Sequence, residues 1–488
     1  MGAHCKPEIQ VARNRPRSFA LPFALGLALS ACAPFAERPG DAAPVASLTA
    51  PAAWTRTDPA LETSAATPES LAGWWRQFGD AQLDALIDEA MAAAPDVRTA
   101  RARLRQSRAS SDLAVANLYP TIGASASATR SRTGTDAGGN DVARTMYRAG
   151  FDASWEPSIF GGLRDAADGA AADVAAAEAL LDSARASLAA EVALNYVNLR
   201  AAQQRLAIAR ANVASQGETV QIAEWRALAG LATELDVDQA RTTLEQTRST
   251  IPSLESTRAE AEHHLAVLTG RPAGSLRPTL AEAKPLPAAP NEIAVGIPAD
   301  ALRQRPDVRA AEFTLQAEIA RTAEREADRY PNLTLSGSFG WQAFSAAALG
   351  GSDAIVSSLV GGLAQTLFDG GRITSRIAVQ NAVQEQALIA YEKSLLTSLE
   401  DVENALTAYA VGRERVAARQ SAAASARRAN DLARTLYQAG AADFQKVLDT
   451  DRTRLTAEET LASADADLLT AVIQLYKALG GGWQKAPA

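Results

Sequence analysis

Residues 151–156 read Phe-Asp-Ala-Ser-Trp-Glu, and a long run without proline follows over 163–229. In a strand, Phe151, Ala153 and Trp155 fall on one face, and the acids and the serine fall on the other. An apolar face that ends in aromatics, opposite a face of small hydroxyls and acids, is typical of a strand between lipid and water. The run that follows is long enough for a helix of about 100 Å. We therefore expect a membrane strand that leads into a very long helix.

This long run and a second one over 372–439 each carry an apolar residue at every seventh position. Strict seven-residue spacing drives left-handed packing of helices against one another. Helices of about 100 Å cannot be buried in one small globule, so their partners must be other long helices. The two seams are Val192, Leu199, Leu206, Val213 and Val220, and Leu388, Leu395, Val402, Tyr409 and Val416.

The chain contains an internal duplication with an offset of about 210 residues. Pro95-Asp96-Val97-Arg98 recurs as Pro306-Asp307-Val308-Arg309, and Tyr119-Pro120 recurs as Tyr330-Pro331. Each unit is far longer than a solenoid repeat, so a whole architectural unit is duplicated. Further pairs at nearly the same offset are Gly230 with Gly440, and Leu268-Thr269-Gly270 with Leu479-Gly480-Gly481.

Both units have the same order of predicted elements. A helix of moderate length ends at the Tyr-Pro pair, because the residue before proline is pushed out of the helical region. Two strands, the long helix and a shorter returning helix follow. The expected bounds are 71–274 for the first repeat, with strands at about 121–160 and a helical hairpin at 163–268, and 275–482 for the second, with strands at about 331–368 and a hairpin at 372–479.

Glycine, serine and proline mark the connections within each unit. Gly- and Ser-rich loops are expected over 131–146 and 344–353. Gly230 and Gly440 are expected to end the long helices as C-caps. Pro252 lies inside the first returning helix and is expected to kink it, whereas the second copy has no such break.

The N-terminus has the layout of a lipoprotein leader. Three arginines precede an apolar run over 19–29, which is a secretory pattern too short to span a bilayer. Leu29-Ser30-Ala31-Cys32 follows and resembles the bacterial lipobox; an ordinary signal that happens to precede a cysteine is the alternative. We expect a cleaved signal over 1–31, a lipid anchor on Cys32 and an extended tether over 32–70. Cleavage removes four basic residues and one acidic residue, so the net charge changes from −8 to −11.

The composition argues against several classes of protein. The net charge of −8 is unlike that of a nucleic-acid binder, whose domain is usually basic. Three histidines and two cysteines leave little room for a His/Cys metal site or a thiol nucleophile. Adjacent His263 and His264 point about 100° apart on a helix and are poor joint ligands. No phosphate loop, zinc spacing or Gly-x-Ser-x-Gly motif occurs, so we expect no enzyme, cofactor or metal.

Four predicted strands cannot close a membrane barrel within one chain. Open sheet edges are not tolerated in lipid, and natural barrels begin at about eight strands. Three chains would supply 12 strands. The sequence therefore predicts an α+β chain with two internal repeats: a long antiparallel coiled-coil α-barrel, and four strands that complete a 12-strand transmembrane β-barrel in a homotrimer.

Several motifs resemble the TolC-like outer-membrane efflux factors, in particular the lipoprotein branch that serves tripartite pumps. These motifs are Trp74-Trp75-Arg76-Gln77-Phe78-Gly79-Asp80, residues 268–272 (LTGRP), residues 297–300 (IPAD) and residues 305–312 (RPDVRAAE). The resemblance covers almost all of the mature chain. It implies a homotrimer with a barrel in the outer membrane of a Gram-negative bacterium and an α-helical tunnel in the periplasm. The expected function is a passive exit duct for drugs or other small toxic compounds.

The resemblance also implies partners and a gate. The partners would be a periplasmic adaptor (membrane fusion) protein, an inner-membrane RND-type pump and outer-membrane lipid, with no nucleic acid. Asp449 would supply a ring of three carboxylates at the periplasmic constriction, and Arg452 the charge that ties neighbouring helices. Family members often carry an apolar residue one turn before this Asp; here it is Gln445, which suggests a wetter gate. An ordinary surface pair between Asp449 and Arg452 is the alternative.

The turns at the two hairpin tips are candidates for adaptor docking by the same resemblance. The candidate residues are Gly230, Thr233, Leu235, Gly440 and Phe444. Alternatively, these segments are only tight turns with glycine present for its backbone freedom. Two rival functions also stay open: an outer-membrane duct for polypeptide (type I) secretion, and a coiled-coil structural lipoprotein without a pore.

Overall fold

A computed structural model describes residues 51, 53–55, 61–62, 71–132, 143–290, 293–295, 302 and 305–483. Within them the chain forms long helices and a four-stranded antiparallel sheet. The predicted leader and Cys32 lie outside the described residues. The major elements are α1 (Ala81–Ala93), α2 (Pro95–Ala116), β1 (Thr121–Arg132), β2 (Ala143–Trp155), α3 (Gly162–Leu228), α4 (Glu234–Leu268), α5 (Pro306–Ala327), β3 (Asn332–Ala343), β4 (Ile355–Ala364), α6 (Arg372–Gln438) and α7 (Phe444–Ala478).

The two halves of the chain repeat the same elements, as the duplication predicts. Helices α3 and α6 are each 67 residues long, or about 100 Å, and α4 and α7 are each 35 residues long. No residue of either predicted heptad seam is exposed. Helix α4 runs unbroken through Pro252, the position of the predicted kink. Across the described helices, no segment has both the length and the apolar character that a bilayer crossing requires.

Glycine ends both long helices in the same type of turn. Gly230 and Gly440 have φ values of 72° and 74°, a left-handed conformation that costs a residue without Cβ little. The amide of Leu231 donates to the carbonyl of Arg226 at 2.8 Å, and the corresponding bond at the second turn has the same length. This Schellman pattern satisfies the last carbonyls of the helix and turns the chain directly into α4 or α7. The predicted C-caps are confirmed.

The sheet has the order β1-β2-β3-β4, and its register separates an apolar face from a polar one. Phe151 pairs with Phe339 on the first face, and Asp152 pairs with Ser338 on the second. The hydroxyl of Ser125 donates to the carboxylate of Asp152 at 2.7 Å. The predicted alternation is therefore confirmed. Large residues of the apolar face are Ile122, Tyr147, Phe151, Trp155, Leu333, Leu335, Phe339, Trp341, Ile355, Leu359 and Leu363.

Strands β1 and β4 are the two edges of this sheet, and among the described residues neither pairs with a further strand along its outer side. The β1–β2 hairpin is longer than predicted: its pairing continues to Arg132 and Ala143, inside the expected loop over 131–146. Near the middle of the sheet, Gly150 faces Gly340 where β2 from the first repeat meets β3 from the second. A Cβ on Gly150 would lie 2.7 Å from the carbonyl oxygen of Phe339, so only glycine permits this approach.

The largest apolar core lies where α1, α3, α4, α6 and α7 meet, around the tryptophan pair of the N-terminal motif. The Trp74 ring stacks on Tyr476 with centroids 5.2 Å apart. Arg200 of α3 is fully buried beside this core. Its guanidinium donates to the side-chain oxygen of Gln82 at 2.6 Å and to the carbonyl of Glu282 at 2.8 Å. Arg200 thus joins α3 to the N-terminal helix and to the segment that follows α4.

Candidate gate at the hairpin tips

The tips of the two helical hairpins lie together and share a small apolar core. Both long helices and both returning helices contribute to it, so the two hairpin ends pack as one unit. Because this core contains few large side chains, polar contacts across it weigh more in holding the hairpins together. Its members are Val220, Ala223, Val237, Ala240, Tyr437, Phe444, Val447 and Leu448.

Tyr437 is one contact between the long helices at this level. Its ring lies 5.3 Å from that of Phe444, centroid to centroid. The guanidinium of Arg226 lies 4.4 Å from the centroid of the Tyr437 ring and also donates to the Tyr437 carbonyl at 3.1 Å. Burial raises the pKa of the Tyr437 phenol, so the ring stays neutral. Arg226 of α3 therefore makes two stabilising contacts with α6, each worth about 1 kcal/mol.

The three predicted gate residues lie within the first three turns of α7. Asp449 and Gln445 are exposed and four residues apart, so they share one face of the helix. Arg452 donates to the hydroxyl of Thr243 on α4 at 3.1 Å. Among the described residues no ion pair joins Asp449 to Arg452. Arg452 therefore connects the two hairpins within one chain, and the Asp449 side chain is exposed.

A buried polar cluster beside these residues was not predicted from the sequence. The carboxylate of Asp451 is 1% exposed and accepts a hydrogen bond from the Asn430 amide at 2.7 Å. The Arg434 guanidinium lies 3.4 Å from the same carboxylate. It also donates to the hydroxyl of Thr219 and the carbonyl of Ser215 on α3, both at 3.1 Å. Asp451 thus orients an arginine of the second hairpin onto the first.

The seven-residue pattern of α6 could have predicted this buried cluster from the sequence. Continuing the sevens beyond Val416 leads to Ala423, then to Asn430, then to Tyr437. A buried asparagine on the seam of a coiled coil fixes the register of its helices at a cost in stability. Asn430 is fully buried, and its side-chain amide donates a hydrogen bond to Asp451. This bond is the contact that sets the register of α6 against α7.

Four of the five predicted docking residues lie on the surface of the tips. Gly230, Gly440 and Thr233 are exposed, and Thr233 forms a capping box with Asp236 at the start of α4. Leu235 is also exposed. Phe444 is different: it is only 6% exposed and packs against Tyr437 inside the tip core, so in this conformation it offers no docking surface. Further exposed apolar residues at the first tip are Trp225, Leu228 and Leu231.

The two adjacent histidines lie on the surface of α4, far along the helix from the tip. Both are exposed, and the Nε2 of His264 lies 3.1 Å from the carboxylate of Glu191 on α3. This contact is an ordinary polar pair between neighbouring helices.

The sheet is amphipathic, its edge strands have no further partner in the part of the chain that the structure describes, and it continues into paired helical hairpins. This is the architecture of an outer-membrane channel subunit. The family model for outer membrane efflux proteins matches residues 86–271 and 297–481, one match in each half of the chain. The chain belongs to the outer membrane efflux protein family.

Individual relatives agree with this assignment. The pyoverdine export outer membrane protein OpmQ of Pseudomonas putida is 33% identical over 449 residues, which cover 90% of this chain and 94% of that protein. The cation efflux system protein CusC of Escherichia coli is 27% identical and covers 95% of this chain and 99% of its own. The solved structure of the outer-membrane channel OprN matches with a TM-score of 0.85 at 32% identity, over 89% and 98% of the two chains. The protein is thus an outer-membrane channel component of an efflux system in a Gram-negative bacterium.

Proposed function

We propose that the chain forms a homotrimeric, passive exit duct for small toxic compounds across the periplasm and the outer membrane. The main support for this proposal is the sheet, because among the described residues no strand pairs with the outer edge of β1 or of β4. Unpaired backbone amides and carbonyls cost several kcal/mol each in lipid, so an open sheet must close on something. Three four-stranded sheets supply 12 strands, which lies within the range of natural barrels.

The oligomer and the pore can be tested together. The full-length protein, purified in detergent, should migrate as a trimer on a gel and convert to monomer only on heating. The same preparation should give discrete conductance steps in a planar bilayer. A monomer that stays soluble without detergent, or a trimer without conductance, would contradict the proposal.

The proposal also includes the leader, the two repeats and the partners of the duct. We infer a cleaved signal over 1–31, a lipid anchor on Cys32 and two repeats over 71–274 and 275–482. The energy for export would come from an inner-membrane RND-type pump, joined to the duct by a periplasmic adaptor, and the duct itself would catalyse nothing. The exposed apolar residues of the first tip, with Gly230, Thr233, Leu235 and Gly440, support adaptor docking there.

We also propose that Asp449 and Gln445 line the periplasmic gate. In a trimer the exposed face of α7 would present three carboxylates around the axis, and a narrow ring of like charge favours cations. Opening would separate the hairpins at the tip, so the contacts made by Arg226, Arg434 and Arg452 across the hairpins would have to be exchanged. Adaptor binding to the tip could then shift this equilibrium towards the open state.

Charge reversal tests this assignment. Asp449→Lys should turn the cation preference of the single channel towards anions, and Gln445→Leu should reduce closed-state leak by making the ring apolar. Asp238→Lys is the matched control, since Asp238 is an exposed acid near the start of the other returning helix. Reversal potentials measured across a salt gradient report the preference. Equal shifts for Asp449→Lys and Asp238→Lys, or none for either, would remove Asp449 from the gate.

A further inference from the structure

The outer end of the β1–β2 hairpin places two arginines on the apolar face of the sheet. Arg130 and Arg132 are both exposed. Arg130 pairs with Thr145 and Arg132 with Ala143, so the alternation of β1 puts both on the same face as Ile122. This placement is unusual, because the rest of that face carries aliphatic, aromatic and small residues.

The height of these arginines can be worked out along the strand. From Ile122 to Arg130, β1 is about 27 Å long, and a strand tilt of about 40° makes this about 21 Å across the membrane. The apolar band of such barrels is about 25 Å tall and is flanked by aromatic residues. Tyr147 pairs with Ala128, one step before Arg130 on the same face. Arg130 therefore lies at the edge of the band, and Arg132 lies just beyond it.

The topology identifies which side of the membrane this edge faces. The helices leave the opposite end of the sheet: α2 precedes β1, and α3 follows β2. Because the helical hairpins extend into the periplasm, the end of the sheet at Arg132 and Ala143 lies on the outer side. The lipid of that leaflet in a Gram-negative outer membrane is lipopolysaccharide, whose lipid A carries phosphate groups at the headgroup level.

Guanidinium groups suit this ligand. Arginine binds phosphate with two parallel hydrogen bonds, and its charge is permanent. Two residues apart on one strand, Arg130 and Arg132 are spaced by about 7 Å and can each contact a phosphate of the same headgroup region. Arg144 is on the same hairpin and at the same level, but it pairs with Ser131 and belongs to the polar face.

We propose that Arg130 and Arg132 form a binding site for the phosphate groups of lipopolysaccharide at the outer rim of the barrel. The site rests on the proposed orientation of the sheet, with its apolar face towards lipid. Its role is to hold the outer ends of β1 and β2 at the headgroup level.

Lipid binding by the full-length protein in detergent tests this site. Fluorescent diphosphoryl lipid A is titrated in mixed micelles against the wild-type protein, the double variant Arg130→Gln/Arg132→Gln and the control Arg144→Gln. Each basic residue near an anionic surface contributes a factor of about five in affinity. The double variant should therefore bind about 25-fold more weakly. Arg144→Gln should bind like the wild type, because Arg144 belongs to the polar face and the sheet separates that face from the lipid. Dephosphorylated lipid A should compete poorly.

Three results would overturn the proposal: unchanged affinity in the double variant, equal weakening in Arg144→Gln, or equal competition by dephosphorylated lipid A. Trimer mobility and conductance of the double variant separate this site from the duct itself. Both should match the wild type. Loss of the trimer in the double variant would instead assign the arginines to a contact between neighbouring chains and would also overturn the lipid site.

Discussion

Asp451→Ala is expected to loosen the closed tip, although Asp451 lines no pore. The carboxylate is 1% exposed, and it holds both the Asn430 amide and the Arg434 guanidinium. Alanine leaves Asn430 with one weaker acceptor, the Thr450 hydroxyl at 3.3 Å. It also leaves Arg434 free to turn away from the first hairpin. Asp451 is thus a positioning residue whose effect reaches α3 through Arg434.

The size of the effect follows from the burial of the pair. Removing one partner of a buried ion pair costs about 3–5 kcal/mol. The Arg434 side chain is 24% exposed, so water can replace part of the interaction and the lower end applies, about 3 kcal/mol. If the contact exists only in the closed tip, the opening equilibrium rises by about 100-fold, since every 1.4 kcal/mol is tenfold.

Two measurements are needed, because a merely structural residue would change only one of them. Single-channel recording gives the open probability, and far-UV circular dichroism in guanidinium chloride gives the unfolding midpoint. Asp451→Ala should raise the first and lower the second. Asp449→Ala is the matched control: it removes an exposed acid two residues away and should leave the free energy of unfolding within about 0.5 kcal/mol of wild type, with the midpoint almost unchanged. Equal midpoints for the two variants, or an unchanged open probability for Asp451→Ala, would refute the argument.

Two further predictions concern the sheet and the core. Gly150→Ala should destabilise the protein by about 1–3 kcal/mol, because the new Cβ would meet backbone atoms of β3. Gly123→Ala is the control and should be neutral, because its Cβ would meet only the Asp152 carbonyl oxygen at 3.9 Å, an ordinary contact. The melting temperature of the trimer distinguishes the two variants, and equal values would contradict the close approach. Arg200→Ala should cost about 3 kcal/mol or more by leaving buried acceptors unsatisfied, while Arg210→Ala, at an exposed ion pair, should cost less than about 1 kcal/mol. Denaturant midpoints test this pair, and the reasoning fails if the two variants unfold alike.

The elements were predictable from the sequence wherever the signal is local. Seven-residue spacing, the absence of proline and the glycine turns at Gly230 and Gly440 each act within a few residues, and the helices begin and end close to the predicted positions. Because the chain is duplicated, the bounds of each element could be predicted independently in both repeats. The faces of the strands followed from the alternation around Phe151, since a period of two leaves one choice of face.

Contacts between distant segments were not predictable in this way. Phe444 follows a tight turn and looks like a surface residue in sequence, but packing against Tyr437 of the preceding helix buries it. Asp451 is two residues from the exposed Asp449, and only the rotation of α7 against α6 decides which acid is buried. Arg200 has one local acceptor, Gln203, but its other two acceptors come from segments more than 80 residues away, and no local pattern predicts those.

The open sheet has a consequence for inheritance. If β1 of one chain pairs with β4 of the next, every chain takes part in two strand–strand interfaces. One defective edge then prevents closure of a barrel whose other chains are intact. A cell that carries both a normal and an edge-defective copy of the gene would build mostly mixed, leaky or incomplete rings. Edge mutations should therefore behave as dominant alleles, whereas a null allele, which contributes no chain at all, should be recessive.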